Sequence, residues 1–227
     1  MKSRIWSLAC VLALALPCFA ADEKPVPTIA EPYHRTVLQN DYVRMIDVRM
    51  AQGVRNQFHI HTLPTVIIYL TQVTNQSEIW GTPGISPRHT VPGDSRYANY
   101  DEKSLAHRVT NEGPGEFRVW DIELLRPAPS GPFPPAGAAA LKPKWEEKRV
   151  RSSNVLLDPA AAVTIAPGPC AHLVVPIASS LATQTHGREK SDRTLAAGEF
   201  LFVAPQTGLE LRNPGKDKVD VVVLELR

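Results

Sequence analysis

Short runs in which apolar and polar residues alternate limit the fold of this chain more than any other feature. The clearest run is Phe117-Arg118-Val119-Trp120-Asp121-Ile122-Glu123-Leu124. A period of two is typical of a β-strand with one buried face. Similar runs recur along the chain, separated by Pro and Gly turns, and the segment 33–126 contains no convincing amphipathic helix. The pattern predicts an all-β protein.

The second half of the chain repeats the order of the first. Asn111-Glu112-Gly113 precedes the strand-like segment 117–126, and Asn213-Pro214-Gly215 precedes 219–227. Between the halves, residues 127–145 are dense in Pro, Gly and Ala, which predicts a semi-rigid linker. We therefore expect two modules, 33–126 and 146–227, in one compact body. A single module with a C-terminal β-extension is the alternative.

Two histidines separated by one residue indicate a metal site in the first module. Side chains two apart on a strand point the same way, so His59 and His61 share a face. Neutral imidazoles are good ligands for transition metals. A third ligand is available in His107. For any single histidine, an ordinary hydrogen-bonded strand residue is the alternative interpretation.

These residues resemble the motifs of the cupin superfamily. Gly53, five residues and then His59-Ile60-His61 look like the first cupin motif, and His107 with Asn111 looks like the end of the second. The resemblance covers most of residues 33–126. It implies a jelly-roll type β-barrel whose interior binds one metal ion through His59, His61 and His107.

The chain departs from the family pattern in two places. The first motif usually has a Glu a few residues beyond its second His, where this chain has Thr65 and Val66. The Gly and Pro spacing before His107 is also only partly kept. A three-His site of this kind resembles those of some cupin dioxygenases, among them thiol and diketone dioxygenases.

The second module lacks the metal-binding residues of the first. Counting back from Asn213 places Leu209 at the position of His107, and the strand pattern places Pro167 and Pro169 near those of His59 and His61. We therefore predict two tandem cupin barrels, the second degenerate and structural in role.

The resemblance implies a divalent transition metal, with Fe(II) favoured and Zn, Mn or Ni possible. It implies a small-molecule substrate and, as one activity, a dioxygenase or other oxidoreductase. A non-catalytic cupin that binds a small molecule or metal is the alternative, as is a cupin isomerase or lyase. The sequence does not predict the catalytic residues or the substrate. Arg88, Arg96 and Tyr97 are candidates for orienting an anionic substrate, with surface positions as the alternative.

Other polar residues carry less specific signals. We expect His34 and His89 to be solvated beside loops, and His172 and His186 to be ordinary histidines of the second module. Asn111 is expected to fix a turn. Asp47 and Glu78 are candidates for holding an imidazole in one tautomer.

The N-terminal residues predict export. Residues 1–20 combine Lys2 and Arg4 with an apolar stretch and a small-residue cleavage site near Ala20, which is typical of a secretory signal peptide. The expected location is periplasmic or secreted, with residues 21–32 a flexible lead-in and no stable membrane span after cleavage. Cleavage lowers the formal charge from +2 to about zero, which argues against nucleic acid as a partner. Cys170 would remain without an internal disulfide partner, and we expect a monomer or homodimer.

Overall fold

The computed structural model describes residues 24–187 and 190–227, so the predicted signal peptide lies outside the described residues. Within that part the chain consists of β-strands and one short 3-10 turn, Thr28–Ala30. The prediction of an all-β protein is therefore confirmed. No helix in the described ranges is long and apolar enough to cross a membrane.

The first barrel is built from two five-stranded sheets. Sheet I has the order β1-β4-β9-β6-β7, and sheet II has the order β2-β3-β10-β5-β8. The strands are β1 Val26–Pro27, β2 His34–Gln39, β3 Val43–Met50, β4 His59–His61, β5 Thr65–Tyr69, β6 Thr74–Ile79, β7 Ser86–His89, β8 Ser95–Ala98, β9 Leu105–Gly113 and β10 Phe117–Leu124.

The second barrel repeats this arrangement. Sheet III has the order β11-β12-β19-β14-β17, and sheet IV has the order β13-β18-β15-β16. The strands are β11 Pro143–Glu146, β12 Val150–Leu157, β13 Ala162–Ile165, β14 Ala171–Pro176, β15 Leu181–His186, β16 Ser191–Leu195, β17 Leu201–Val203, β18 Gly208–Arg212 and β19 Val219–Leu226.

Two buried asparagines show the repeat at the level of single bonds. The Asn111 amide donates to the carbonyl oxygens of Met50 and Gly115 and accepts from the amide of Gly113. The Asn213 amide makes the same three bonds, to Leu157, Asp217 and Gly215. Asn111 fixes a turn, as its position predicts.

The two barrels pack back to back through sheets II and III. One apolar cluster contains Met45, Ile68 and Ile122 of sheet II together with Leu173 and Leu224 of sheet III. This contact explains why β10 and β19 are buried on both faces, since one face points into a barrel and the other into the contact. The barrels therefore share a core.

The interior of the second barrel is filled with apolar side chains. In the first barrel His59 pairs with His107, and in the second Ile165 pairs with Leu209 at the equivalent place. Both Ile165 and Leu209 are fully buried in the second barrel's core. The placement of Leu209 agrees with the sequence comparison. The placements of Pro167 and Pro169 were both wrong, because the register assigns Ile165 to the position of His59 and Pro167 to that of His61.

The segment ahead of the first barrel is ordered from Val26 onward. Val26 and Pro27 pair in parallel with His59 and Ile60, and the Thr28 hydroxyl donates to the carbonyl of Ile60 at 2.8 Å. Residues 26–32 therefore do not form the flexible lead-in that their composition predicts. Strand pairing to β4 supplies the order that the sequence lacks.

The segment between the barrels also contributes to packing. Leu141 is 3% exposed and joins the core of the second barrel. Pro143–Glu146 pairs with β12 as an edge strand. The linker predicted from the Pro-rich composition is therefore partly built into the second barrel.

Cys170, which lies immediately before β14, is a buried free thiol, and burial raises its pKa.

Candidate metal centre

The strand register of sheet I brings the three predicted histidines together. His59 on β4 lies opposite His107 on β9, and His61 follows two residues later on the same face. The Nε2 atoms of His61 and His107 are 3.1 Å apart. The ring centroid of His59 lies 4.7 Å from that of His107 and 4.9 Å from that of His61.

A fourth histidine, His34, joins this group from sheet II. The prediction that His34 is solvated was wrong, because it is 7% exposed and its ring centroid lies 4.4 Å from that of His59. One ligand nitrogen from each of His34, His59 and His61 can be chosen so that all three lie within 4.8 Å of one another. His34 pairs with Val48 across β2 and β3, which directs its side chain into the barrel.

Three of the four imidazoles have a polar partner within hydrogen-bond distance of Nδ1, and the nearest carboxylate to the Nδ1 of His61 lies beyond that distance. The Nδ1 distances are 2.5 Å to Glu31 Oε2 for His34, 3.0 Å to the Gln57 carbonyl for His59, 3.6 Å to Asp121 Oδ2 for His61 and 3.2 Å to Ser77 Oγ for His107. An acceptor at Nδ1 fixes the tautomer that carries its proton there, and leaves Nε2 with a free lone pair. For His34 and His59 this leaves Nε2 available as a ligand atom, and the Nε2 atoms of His61 and His107 lie 3.1 Å apart.

Burial keeps the imidazoles of His59, His61 and His107 neutral. It lowers the pKa of His59 to about 4 and that of His107 to about 3. Burial also lowers the pKa of His61 well below its usual value, and the neighbouring imidazoles lower it further. A neutral imidazole is the form that binds a metal, so protons do not compete for these three residues near pH 7.

The spacing of the nitrogens fits a divalent transition metal. Imidazole nitrogens bind such ions at about 2.0–2.1 Å, so two ligands of one ion lie roughly 2.9–3.4 Å apart for octahedral to tetrahedral angles. The 3.1 Å between the Nε2 atoms of His61 and His107 falls in that range. All-imidazole donors suit Fe, Zn, Cu and Ni.

The carboxylates that hold the imidazoles are not the predicted ones. Asp47 accepts from Arg49 and Arg118, and Glu78 forms ion pairs with Arg55 and Arg108. Glu31 takes the expected role at His34, and Asp121 lies 3.6 Å from His61 Nδ1 without a hydrogen bond to it. Burial raises the pKa of Glu31, but its interaction with His34 and its hydrogen bonds from the amides of Gln57 and Tyr33 outweigh this, and the net pKa is lowered. Burial raises the pKa of Asp121 to about 7, and its Oδ1 has no hydrogen-bond partner.

The four histidines line a cavity of about 290 Å³ inside the first barrel. This is at the low end of the range for ligand pockets, about 300–1,000 Å³. Its walls also include Tyr69, Arg88, Arg96 and Tyr100. Tyr97, considered with the arginines from the sequence, packs at the contact between the barrels.

The remaining histidines lie elsewhere. His89 is exposed and its Nδ1 lies 2.9 Å from the Thr74 hydroxyl, as expected for a solvated residue. His172 is buried on β14 with no hydrogen-bond partner for either ring nitrogen, and His186 is half-buried on β15. Both belong to the second barrel, whereas the four-histidine cluster belongs to the first.

No protein-family profile and no curated protein matches this chain. Solved structures do match. A cupin 2 conserved barrel domain protein from Leptotrichia buccalis has a TM-score of 0.56 at 7% identity, covering 85% of this chain and 88% of that one. Streptomyces albus HEPD, with substrate 2-hydroxyethylphosphonate and Fe(II) bound, has a TM-score of 0.60 at 9% identity, covering 85% and 70%. The 11S globulin from Wrightia tinctoria, described as revealing an auxin binding site, has a TM-score of 0.59 at 11% identity, covering 90% and 83%.

These likenesses show the fold. The chain has the cupin fold, with two jelly-roll barrels in tandem. The prediction of a bicupin architecture is confirmed, and the apolar interior of the second barrel makes that barrel the degenerate one.

Proposed function

We propose that this two-barrel cupin binds one divalent transition-metal ion in its first barrel and acts on a small molecule there as a dioxygenase-type oxidoreductase. The supporting observation is the cluster of four imidazoles around one cavity, three of which have a polar partner at Nδ1. Fe(II) is the first candidate, and Zn, Mn and Ni are the alternatives. His59, His61 and His107 are the proposed ligands, with His34 as a fourth.

The ligand set leaves room for a substrate. An octahedral ion held by three imidazoles keeps three positions open, and one held by four keeps two. A bound ferrous ion would allow oxidation of the substrate by dioxygen, whereas a bound zinc ion would act as a Lewis acid. The chain's own residues bind and orient the substrate, and the apolar walls from Val48, Ile67 and Val119 exclude water.

The metal site is tested by elemental analysis of protein purified without a His tag. We expect about one ion per chain in the parent and loss of the ion in a His59→Ala/His61→Ala double variant. His89→Ala/His186→Ala is the matched control, since it removes two histidines outside the cluster and should keep the ion. Full metal content in the first double variant would refute the site.

Turnover is tested by oxygen uptake. Iron-loaded protein would be incubated with thiols, diketones, aromatic diols and small organic acids while dissolved oxygen is followed. We expect uptake with at least one class, and its loss in His107→Ala. HEPD supports this choice, because that protein shares the fold and its structure contains Fe(II) and a small substrate.

A binding role without turnover is the second candidate. The 11S globulin from Wrightia tinctoria shares the fold and is described with an auxin binding site, which favours this alternative. Experiments on the same metal-loaded protein distinguish binding without turnover from oxygen-dependent turnover. A ligand that binds tightly and is recovered unchanged, with no oxygen consumed, would indicate a binding protein. Conversion without oxygen uptake would instead indicate an isomerase or lyase.

Export belongs to the same proposal. We propose that residues 1–20 are removed and that the mature chain begins near Ala21, in the periplasm or outside the cell. Mass spectrometry of the intact protein from fractionated cells tests this. A mature mass matching residues 21–227 in the exported fraction is the expected result, and a full-length cytoplasmic chain would contradict it.

A further inference from the structure

A guanidinium group lines the cavity of the first barrel that also contains the histidines. Arg96 on β8 pairs with Ile67 on β5, and both side chains line the cavity. Arg96 is half-buried. Arg88 on β7 reaches the same wall from the exposed rim. The cavity is therefore lined by imidazoles and by two guanidinium groups.

The hydrogen bonds of these two arginines converge on one phenol. Arg96 Nε and Arg88 Nη1 each donate to the Tyr69 hydroxyl at 3.2 Å. Tyr100 is the other phenol that interacts with Arg96. Within residues 24–187 and 190–227, no carboxylate forms an ion pair with either arginine.

Other enclosed arginines of this chain do have a carboxylate. Arg44 pairs with Glu123, and Arg151 makes a two-pronged pair with Glu225. Arg118 pairs with Asp47. Enclosed charges are normally paired, because removing a charge from water without a partner is costly. Arg96 departs from this rule at the place where the first barrel contains a cavity.

The acidic group of the cavity does not fill this role. Asp121 lies on the same sheet as Arg96 with Ile67 between them, and Arg96 acts to lower its pKa, but the two form no ion pair and Asp121 Oδ2 is 3.6 Å from His61 Nδ1. The space next to Arg96 is instead bounded by phenols and by Ile67. A planar guanidinium with neutral neighbours is suited to bind an oxyanion through two parallel hydrogen bonds.

We propose that the cavity of the first barrel recognises a small organic acid, whose carboxylate or similar oxyanion is bound by Arg96, with Arg88 at the rim and Tyr69 holding both guanidinium groups in place. This rests on the proposed function in one respect, that the other end of the ligand faces the metal. The volume of about 290 Å³ limits the ligand to a compact molecule.

The test compares small carboxylates with their neutral amides. Propionate and propionamide, and further pairs of that size, would be titrated into metal-loaded and chelator-treated protein, with binding followed by calorimetry. We expect each acid to bind at least about tenfold more tightly than its amide. Arg96→Met should abolish the difference, and Arg96→Lys should keep part of it.

Controls separate this inference from the metal site. Arg49→Met removes a surface arginine outside the cavity and should leave the acid preference unchanged. Tyr69→Phe removes the shared acceptor and should weaken acid binding several-fold without removing the positive charges. The metal content of Arg96→Met should equal that of the parent, and its circular dichroism spectrum shows whether it folds.

Two outcomes would overturn the inference. Acids and amides could bind equally to the parent, or the acid preference could survive Arg96→Met. Either result with about one metal ion per chain leaves the proposed metal site intact. An acid preference that depends on Arg96 in protein unable to bind any metal would instead refute the metal site and retain the anion site.

Discussion

Glu31 links the segment ahead of the first barrel to the metal centre. Its Oε2 lies 2.5 Å from His34 Nδ1, and the same carboxylate accepts from the amides of Tyr33 and Gln57. Three contacts hold the carboxylate, so it holds the His34 ring in turn. Partners of this kind orient metal-binding imidazoles and raise their basicity.

Glu31→Gln should weaken metal binding without unfolding the barrel. Glutamine keeps an acceptor for the imidazole but loses the negative charge, and loss of such a partner typically lowers metal affinity by about 10- to 100-fold. Competition with a chelating dye measures this. Glu78→Gln is the control, because Glu78 pairs with Arg55 and Arg108 rather than with an imidazole. Equal affinities for the two variants would contradict the role of Glu31.

The sequence did not predict the site residues that are brought to the histidine cluster by strands distant in the chain. His59 and His61 are adjacent on one strand, so their shared face follows from the period of two. His34 lies on the other sheet, and nothing local indicates that β2 turns its first residue inward. Asp121 did carry a signal, because the alternation of β10 places it on the same face as Val119, inside the barrel.

At the scale of elements, the period of two and the Pro and Gly turns were enough to predict strands and their repetition. They could not predict the pairing of Val26–Pro27 with β4, since a two-residue strand has no periodicity of its own. The sequence pattern also misplaced the counterparts of His59 and His61 in the second barrel, because it does not fix the strand register. Register there is set by Ile165 packing opposite Leu209 in the core.

The equivalent hydrogen bonds of Asn111 and Asn213 predict that removing either side chain lowers stability by a similar amount. Asn213→Ala removes the donor to the carbonyls of Leu157 and Asp217 and the acceptor for Gly215. Leaving such buried groups unpaired costs about 1–3 kcal/mol in the free energy of unfolding. Asn111→Ala should lose a similar amount, because its bonds are the same.

Denaturant titration of both variants measures these losses. The control is the amide side chain of Gln184, which is exposed on β15 and donates a hydrogen bond to the exposed Asp192, so Gln184→Ala should change stability little. Asn213→Ala should also keep its metal, since the change lies in the barrel without the histidine cluster. A loss of stability in only one of the two asparagine variants would show that the two sets of hydrogen bonds are not equivalent.

At the scale of the whole molecule, the shared apolar contact joins a barrel with a histidine-lined cavity to a barrel with an apolar core. Trp120 Nε1 and Arg118 Nη2 of the first barrel both donate to the carbonyl of Gly198 in the second. The second barrel covers the outer face of sheet II, which would otherwise expose Met45, Ile68 and Ile122 to water. Its degenerate interior is thus compatible with a purely structural role.

This shared core predicts that a metal ion bound in the first barrel stabilises the second barrel as well. A ligand that binds only the folded state adds about 2.7 kcal/mol at a hundredfold excess over its Kd. Because Leu173 and Leu224 of the second barrel pack on Ile68 and Ile122 of the first, neither barrel unfolds without exposing the other's apolar surface.

Calorimetry of metal-loaded and chelator-treated protein provides the measurement. We expect one transition in both samples, moved as a whole to higher temperature by the metal, and no shift in the His59→Ala/His61→Ala variant. Ile122→Ala, which removes packing at the contact between the barrels, should lower the transition temperature in both samples while leaving the metal-induced shift in place. Two separate transitions, of which the metal moves only one, would mean that the barrels unfold independently and that the contact between sheets II and III does not couple them.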